Sequence, residues 1–238
     1  MKFKVIHIGE TDSTNRWLRE QTTGTDDVAV WTDYQTAGRG CGTNTWESER
    51  GQNLTFSLLI HPRELRANRQ FAISMAISLA IADVLSGYFA NVSIKWPNDI
   101  YWHDRKICGI LIENRLNGPM VRDSIIGIGL NVNQRLFVSD APNPVSMWQI
   151  LGRETDREEV LLQVLERFSP YDACPVDADR YLSMLYRREG YHAYSDAQGL
   201  FEARLVTVEA DGHLLLEDRE GRRRRYAFKE VTFIQQTK

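Results

Sequence analysis

Residues 107–132 read ICGILIENRLNGPMVRDSIIGIGLNV, two largely apolar runs that meet at Asn117-Gly118. Asn-Gly is typical of a tight reversal because both residues accept the positive φ angles that such a turn requires. We therefore predict a β-hairpin whose strands are Ile107–Glu113 and Met120–Val132. The strands of a hairpin run in opposite directions, so the sheet that contains it is expected to be mostly antiparallel.

Further strands and helices are predicted on both sides of this hairpin. Residues 71–85, FAISMAISLAIADVL, are apolar all round, which indicates a helix at Gln70–Tyr88 packed against a sheet. The polar cluster at residues 11–15, TDSTN, favours a helix start. The other predicted elements are strands at Lys4–Ile8, Val28–Tyr34, Asn53–Ile60, Val92–Trp96 and Ile100–Trp102, and helices at Thr155–Phe168 and Asp177–Arg188.

From about Gly190 the pattern changes to short strands punctuated by Asp-Gly and Glu-Gly turns, which indicates a small barrel-like β module. We therefore expect an α+β protein with two domains. Residues 1–188 would form a mixed, mostly antiparallel sheet with flanking helices, and residues 189–238 a C-terminal β domain. The predicted strands of the second domain are Phe201–Val208, His213–Glu217, Arg224–Phe228 and Val231–Ile234.

The composition is that of an ordinary globular protein, with 42% hydrophobic and 26% charged residues among 238. A net charge of -3 gives no positive field to hold a polyanion, so DNA is not an expected partner. The 71–85 stretch is shorter than a membrane span of about 20 residues and is interrupted by Ser74, Ser78 and Asp83, so no membrane association is expected. The N-terminus shows no signal-peptide pattern, and we predict a cytoplasmic location.

Cysteine and histidine are sparse. The cysteines, Cys41, Cys108 and Cys174, and the five histidines match neither a disulfide framework nor a zinc motif. No metal held by protein ligands is therefore expected.

The segment Gly38-Arg39-Gly40-Cys41-Gly42 is a candidate site for an anionic ligand. Glycines let backbone amides approach a phosphate closely, and arginine adds a permanent charge. The segment does not run into a helix, so it is not a dinucleotide-binding motif. A glycine-rich surface turn is the alternative interpretation.

A second candidate is the segment 95–102, KWPNDIYW, followed by Lys106. A lysine, an amide and a carboxylate beside large aromatic residues are costly to hold near a core without a function. Strand alternation places Lys106 on one face with Cys108 and Ile110, so the lysine is expected to enter an apolar pocket. The alternative is a surface lysine whose stem lies along apolar residues. Residues 127–133, GIGLNVN, carry strand glycines, which indicate a bulge or close approach of another backbone or a ligand. A kink at a barrel corner is the alternative.

Four segments together resemble the biotin protein ligases: residues 11–15; 35–40, QTAGRG, with Trp46; 95–99, KWPND, with Lys106 and Gly109; and 127–133. They occur in the order and spacing of that family, and the resemblance covers about residues 3–135. It implies a catalytic domain of the class II aminoacyl-tRNA-synthetase-like fold. The C-terminal β module is similar to the small SH3-like barrel of the family.

The resemblance implies that biotin and ATP, with Mg²⁺ carried by ATP, give biotinyl-5'-AMP and pyrophosphate. The biotinyl group would then pass to one lysine of a biotin carboxyl carrier protein, such as a subunit of acetyl-CoA carboxylase. Lys106 and Arg39 would be catalytic, and Asp99 would orient the incoming amine. Implied biotin-binding residues are Ser13, Thr14, Asn15, Gln35, Arg39, Gly40, Cys41, Lys106 and Gly109; implied nucleotide-binding residues are Arg39, Trp46, Lys95, Asn98, Gly127, Gly129 and Asn131.

The sequence departs from the family pattern in the glycine-rich loop. Relatives commonly have arginine or glutamine at the position of Cys41 and glycine at that of Thr43. Many bacterial relatives carry an N-terminal winged-helix domain, whereas here the catalytic pattern starts by residue 3, so a ligase without DNA binding is expected. The run Arg222–Arg225 is interpreted as a solvated hairpin, with nucleic acid as the alternative.

Two other functions remain open from the sequence. One is a lipoate or octanoyl ligase or transferase, which shares the catalytic architecture. The other is a non-catalytic sensor that binds biotinyl-AMP. The resemblance also allows a homodimer formed through the sheet.

Overall fold

A computed structural model of the chain describes residues 3–21, 24–42, 44–139, 143–168 and 177–234. Cys174 and Thr43 lie outside these residues. The elements are β1 (Lys4–Thr11), α1 (Thr14–Gln21), β2 (Val28–Gln35), β3 (Leu54–Ile60), α2 (Phe71–Ser86), β4 (Val92–Lys95), β5 (Asp99–Trp102), β6 (Arg105–Asn117), β7 (Met120–Leu130), α3 (Met147–Leu151), α4 (Arg157–Arg167), α5 (Ala178–Ser183), β8 (His192–Asp196), β9 (Gly199–Val208), β10 (Leu214–Asp218), β11 (Arg223–Tyr226) and β12 (Thr232–Phe233).

The first seven strands form one sheet in the order β1-β2-β3-β7-β6-β5-β4. The predicted hairpin is its centre: β6 and β7 pair antiparallel, with Asn117 opposite Met120 at the turn. Only the β1–β2 pair is parallel, and the other described pairs of this sheet are antiparallel. The prediction of a mixed, mostly antiparallel sheet is therefore confirmed.

Helices cover both faces of this sheet. The apolar helix α2 packs on one face, where the fully buried Phe56 and Ile77 belong to a single large core. On the other face Leu18 of α1 packs against Val30 and Leu59 in a smaller cluster. Burial of one such side chain contributes about 1.5–3 kcal/mol. The strand β3 is buried along its whole length because both faces are covered.

The stretch Ala67–Ser86, α2 with its preceding turn, is long and apolar enough to cross a membrane by length and composition alone. It is 67% buried inside the protein, as the core helix of a globular fold would be.

The last five strands form a second, antiparallel sheet in the order β11-β10-β9-β8-β12. Its apolar residues, such as Leu205 and Leu214, join the same core cluster as the first sheet. The Trp96 Nε1–H donates to the Gly212 carbonyl at 2.9 Å. The C-terminal sheet therefore packs directly against the first sheet.

Two details of the predicted elements are wrong or incomplete. The helix expected at Asp177–Arg188 ends much earlier, because Met184 and Tyr186 form backbone hydrogen bonds with Ile94 of β4 instead of continuing the helix. Helix α3 and strand β8 were not predicted. The signal for α3 is present: Ser146 and Gln149 form a capping box.

We expect Gly212→Ala to destabilise the protein more than Gly221→Ala. Both glycines have positive φ angles, +94° and +78°, so alanine costs about 1–2 kcal/mol at either position. At Gly212 the added methyl would lie 2.7 Å from the Phe71 ring, whereas at Gly221 it meets nothing within 4 Å. This overpacking adds about 1–3 kcal/mol. Urea unfolding gives both free energies, and equal losses would contradict the packing of the C-terminal sheet against α2.

Candidate functional site

One cavity of about 950 Å³ lies over the face of β6 and β7 that carries Gly109, Gly127 and Gly129. Its volume is within the usual range of a small-molecule site. The glycine-rich loop and the segment around β12 form its walls. Every residue that the sequence assigned to catalysis or ligand binding contributes to its lining. These are Ser13, Thr14, Asn15, Gln35, Arg39, Gly40, Cys41, Trp46, Lys95, Asn98, Asp99, Lys106, Gly109, Gly127, Gly129 and Asn131.

One end of the cavity is a network of neutral polar groups. The Thr14 hydroxyl donates to the Gln35 side-chain oxygen at 3.0 Å and lies 2.6 Å from the Ser57 hydroxyl. The Ser57 hydroxyl donates in turn to the Asn15 side-chain oxygen at 2.6 Å. The Asn15 amide donates to Glu113 at 2.8 Å. The network fixes hydroxyl and amide groups that can donate to or accept from an uncharged polar ligand.

Glycines on β6 and β7 let two side chains lie flat on the sheet. A methyl group at Gly129 would collide with the Trp46 indole, and one at Gly127 would collide with the Asn15 amide. Gly109, opposite Gly129 in the register, would place a methyl 2.9 Å from the same indole. The strand glycines therefore make room for side chains of the protein itself. Close approach of a ligand to these strands stays a prediction.

Lys106 and Asp99 form an ion pair on adjacent strands, with Nζ and Oδ1 2.6 Å apart. Burial alone would lower the pKa of Lys106, but the carboxylate beside it outweighs burial, and the pKa lies above its ordinary value. The lysine therefore stays charged at neutral pH. Its Nζ also lies 5.7 Å from the centroid of the Trp46 ring.

The prediction that Lys106 shares a strand face with Cys108 and Ile110 is wrong. Ile100 pairs with Cys108 while Tyr101 pairs with Lys106, so Ile107 is an extra residue in β6. Such a bulge redirects the side chain that follows it. Cys108 and Ile110 enter the core, whereas the Lys106 side chain lies on the side of Gly109, facing the cavity.

Three other cations, Arg39, Lys95 and Lys229, line the cavity. Arg39, 42% exposed, has its Nη2 3.7 Å from the Glu113 carboxylate, which also accepts a 2.7 Å hydrogen bond from Arg19. Lys95 has its Nζ 5.1 Å from the centroid of Tyr101. Burial lowers the pKa of Lys95, and Asp99 only partly opposes this.

The glycine-rich loop folds back on itself. Arg39 and Thr45 form an isolated β-bridge, and the Gly40 N–H donates to the Asn44 carbonyl at 2.8 Å. The Gly40 N–H is therefore engaged within the loop, although Gly40 lines the cavity, and its binding of a ligand stays a prediction. The Asn98 amide joins this loop to the sheet by donating to the Ile110 carbonyl at 2.7 Å and to the Cys41 sulfur at 3.0 Å.

Several residues of the site were missed by the sequence reasoning. Ser57 and Glu113 are polar residues inside apolar strands, a pattern that points to a buried polar function. Glu47 accepts hydrogen bonds from the backbone of Val138 and Ser139 and from Gln134. The segment Phe228–Phe233 also lines the cavity, and no local pattern could reveal that contact.

The carboxylates that line the cavity are already engaged with protein donors. Asp99 pairs with Lys106, and Glu47 accepts three hydrogen bonds. In the described part of the chain, the single group of three potential metal ligands is Glu209, Asp211 and His213, which does not line the cavity.

Residues 8–131 match the family model described as the biotin/lipoate A/B protein ligase family, slightly more than half of the chain. The chain belongs to the biotin/lipoate A/B protein ligase family. The matched segment holds nearly the whole polar network, the glycine-rich loop and the Lys106–Asp99 pair. The resemblance stated from four motifs is thereby confirmed.

Individual members of the biotin/lipoate ligase family are similar to the chain over longer stretches. The bifunctional ligase/repressors BirA of Bacillus spizizenii and Bacillus subtilis are each 31% identical over 211 residues, 83% of this chain. The chain spans 64% of the length of these relatives. The biotin--[acetyl-CoA-carboxylase] ligase of Paracoccus denitrificans is 32% identical over 174 residues, 70% of this chain and 72% of that protein.

A solved structure of the same family shares the whole architecture. The biotin protein ligase from Aquifex aeolicus, determined in complex with biotin and ATP, is 27% identical with a TM-score of 0.79. The likeness covers 97% of this chain and 98% of that one, so it includes the C-terminal sheet as well as the family domain.

We expect Gly129→Ala to displace the Trp46 ring, whereas Gly9→Ala in β1 leaves it in place. Both glycines lie in strands, but an added methyl meets the indole at Gly129 and nothing within 4 Å at Gly9. The cost at Gly129 is about 1–3 kcal/mol of unfolding free energy. The difference between the emission spectra of the wild type and Trp46→Phe gives the fluorescence of the Trp46 ring. We expect the wavelength of this emission to shift in Gly129→Ala. An unchanged Trp46 signal would show that the indole does not lie on the sheet.

Proposed function

We propose that the protein is an ATP-dependent biotin protein ligase. The observation that carries this proposal is that one cavity joins a neutral polar network to a cluster of cations. The network suits an uncharged polar ring, and the cations suit two anions that must react with each other. The composition of the cavity therefore matches a carboxylic acid with a polar ring at its far end, together with a nucleotide.

Biotin fits the polar end by its chemistry. Its ureido ring has one carbonyl and two N–H groups, and each of them needs a hydrogen-bond partner once buried. Ser13, Thr14, Asn15 and Gln35 supply hydroxyl and amide groups on the cavity wall, and Ser57 holds two of these side chains in place. The apolar faces of Trp46 and the strand glycines leave room for the less polar part of the ligand.

In the first step the biotin carboxylate would attack the α-phosphate of ATP. An acyl–phosphate bond forms, the bond to the β-phosphate breaks, and pyrophosphate leaves with the bonding electrons. Both reactants are negative, so the site must offset the charge that accumulates. Lys106, held charged by Asp99, and Arg39 are the residues that would do this. Mg²⁺ would enter as part of the MgATP substrate.

In the second step a lysine amine of the carrier would attack the acyl carbon of biotinyl-5'-AMP. An amide bond forms, AMP leaves, and the amine loses a proton. Asp99 was assigned from the resemblance to orient this amine. Its ion-pair partner in the structure is Lys106, so its first role is to position Lys106, and its action on the amine stays a prediction.

Other parts of the proposal come from the resemblance and the relatives. The carrier would be a biotin carboxyl carrier protein, because relatives are named as ligases of acetyl-CoA carboxylase. We further propose that the domains are residues 1–188 and 189–238, with the second an SH3-like barrel. A homodimer and a cytoplasmic location complete the proposal.

Incubation with ATP, labelled biotin and a biotin carboxyl carrier domain tests the reaction. We expect ATP-dependent labelling of the carrier. Parallel arms with lipoate and octanoate test the lipoyl alternative. Formation or binding of biotinyl-AMP without carrier labelling would favour the sensor alternative and overturn the ligase.

We expect Lys106→Ala to lower the rate of biotin-dependent pyrophosphate release by at least about 100-fold. The substitution removes the main positive charge that would stabilise the reacting anions. Lys4→Ala, an exposed lysine outside the cavity, is the matched control. Circular dichroism checks that both variants fold. A near-normal rate in folded Lys106→Ala would remove this lysine from the chemistry.

We expect Cys41→Arg to slow the release of biotinyl-AMP about tenfold in the absence of carrier. The wild-type thiol is neutral, since burial raises its pKa, and an arginine there would add a charged hydrogen bond to the intermediate. Cys41→Ser is the control without added charge. Equal release rates from Cys41→Arg and the wild type would refute a role of position 41 in retention.

A further inference from the structure

The turn between β11 and β12 brings Lys229 from the C-terminal sheet to the rim of the cavity. The turn is closed at both ends: the Ala227 N–H donates to the Glu230 carboxylate at 2.7 Å, and the Glu230 N–H donates to the Ala227 carbonyl at 3.2 Å. Lys229 has a φ of +70°, a conformation that glycine usually occupies. The chain therefore keeps a lysine at a position where glycine would be more stable.

The side chain of Lys229 reaches the glycine-rich loop of the other sheet. A methyl group added to Gly42 would lie 2.5 Å from the Lys229 Nζ, so the ammonium rests against the loop backbone. Burial raises the pKa of the neighbouring Cys41 thiol, while the charges of Lys106 and Lys229 both oppose this rise. The two lysines are thus both close to the same point of the loop.

Lys229 differs from Lys106 and Arg39 in its surroundings. Lys106 is neutralised by Asp99, and Arg39 lies near Glu113. Among the residues that the structure describes, neither Lys229 nor Lys95 has a carboxylate within 4.0 Å, but the Lys95 Nζ lies between two rings, 5.1 Å from the centroid of Tyr101 and 5.4 Å from that of Phe233. The Lys229 Nζ lies 5.5 Å from the centroid of the single ring of Phe228. In the described structure, Lys229 is therefore a cation at the cavity without an acidic partner.

We propose that Lys229 is a binding residue for a phosphate group of the nucleotide, which would sit between the C-terminal turn and the glycine-rich loop. This inference rests on the proposed function, because it assigns a residue to its nucleotide. A phosphate at this position would supply the missing anionic partner of Lys229. The nucleotide would then contact both sheets, so its binding would tie the C-terminal sheet to the catalytic one.

Two variants separate the charge of Lys229 from its structural role. Lys229→Gly removes the charge and relieves the positive φ, so thermal stability should hold or rise while ATP affinity falls about three- to tenfold. Lys229→Arg keeps the charge and should retain most of the affinity. Arg223→Gln is the matched control, since it removes an exposed charge from the same sheet outside the cavity.

Titration calorimetry of the full chain with ATP, AMP and biotin needs no turnover. We expect weaker ATP binding in Lys229→Gly and unchanged biotin binding. If Lys229→Gly weakens the binding of ATP but not of AMP, Lys229 contacts the β- or γ-phosphate. If it weakens the binding of both nucleotides, Lys229 contacts the α-phosphate.

Equal ATP affinities of Lys229→Gly, Arg223→Gln and wild type would overturn the assignment of Lys229 while leaving the proposed function intact. Equal weakening of ATP binding by Lys229→Gly and Arg223→Gln would also overturn it, because the effect would then be one of net charge. Absence of ATP and biotin binding in the wild type would instead overturn the proposed function, and the inference with it.

Discussion

Lys106 and Asp99 face one another at 2.6 Å across two neighbouring strands, and the site depends on this contact. A lysine of the central sheet would ordinarily be too costly to hold near the core. The extra residue Ile107 turns the side chain away from the core, and the carboxylate of β5 keeps it charged. The glycines beneath it leave space for Trp46 beside the ammonium, so the bulge sets the position of the charge and the glycines permit that of the ring.

Much of the fold could be predicted because its signals are local. The two apolar runs that meet at Asn117-Gly118 predict the central hairpin, and the all-apolar stretch in α2 predicts a buried helix. The predicted helix from Asp177 was too long because its end is decided by hydrogen bonds to Ile94, more than 80 residues away in sequence. The capping box of Ser146 and Gln149 is a local signal for the start of α3.

The candidate site, too, could be predicted where its signals are local and could not be predicted where distant contacts decide. Its motif residues could be assigned because the resemblance rests on short segments with fixed spacing, and all of them line the cavity. The orientation of Lys106 could not be predicted, because a bulge is invisible to a rule of strict alternation. The contribution of Phe228 and Lys229 could not be predicted either, since it depends on how the second sheet docks, through contacts such as that of Trp96 with Gly212. The interpretation of Arg222–Arg225 as a solvated hairpin agrees with the ion pairs of three of these arginines.

The Glu113 carboxylate receives Asn15 and Arg19 at hydrogen-bond distance and Arg39 more loosely, at 3.7 Å. Arg39 is therefore the partner that Glu113 holds least closely. If Arg39 bound an incoming carboxylate, Glu113 would keep its two stronger partners and would not be left as an unpaired charge. The arginine would exchange one carboxylate for another, so binding would cost little electrostatic free energy.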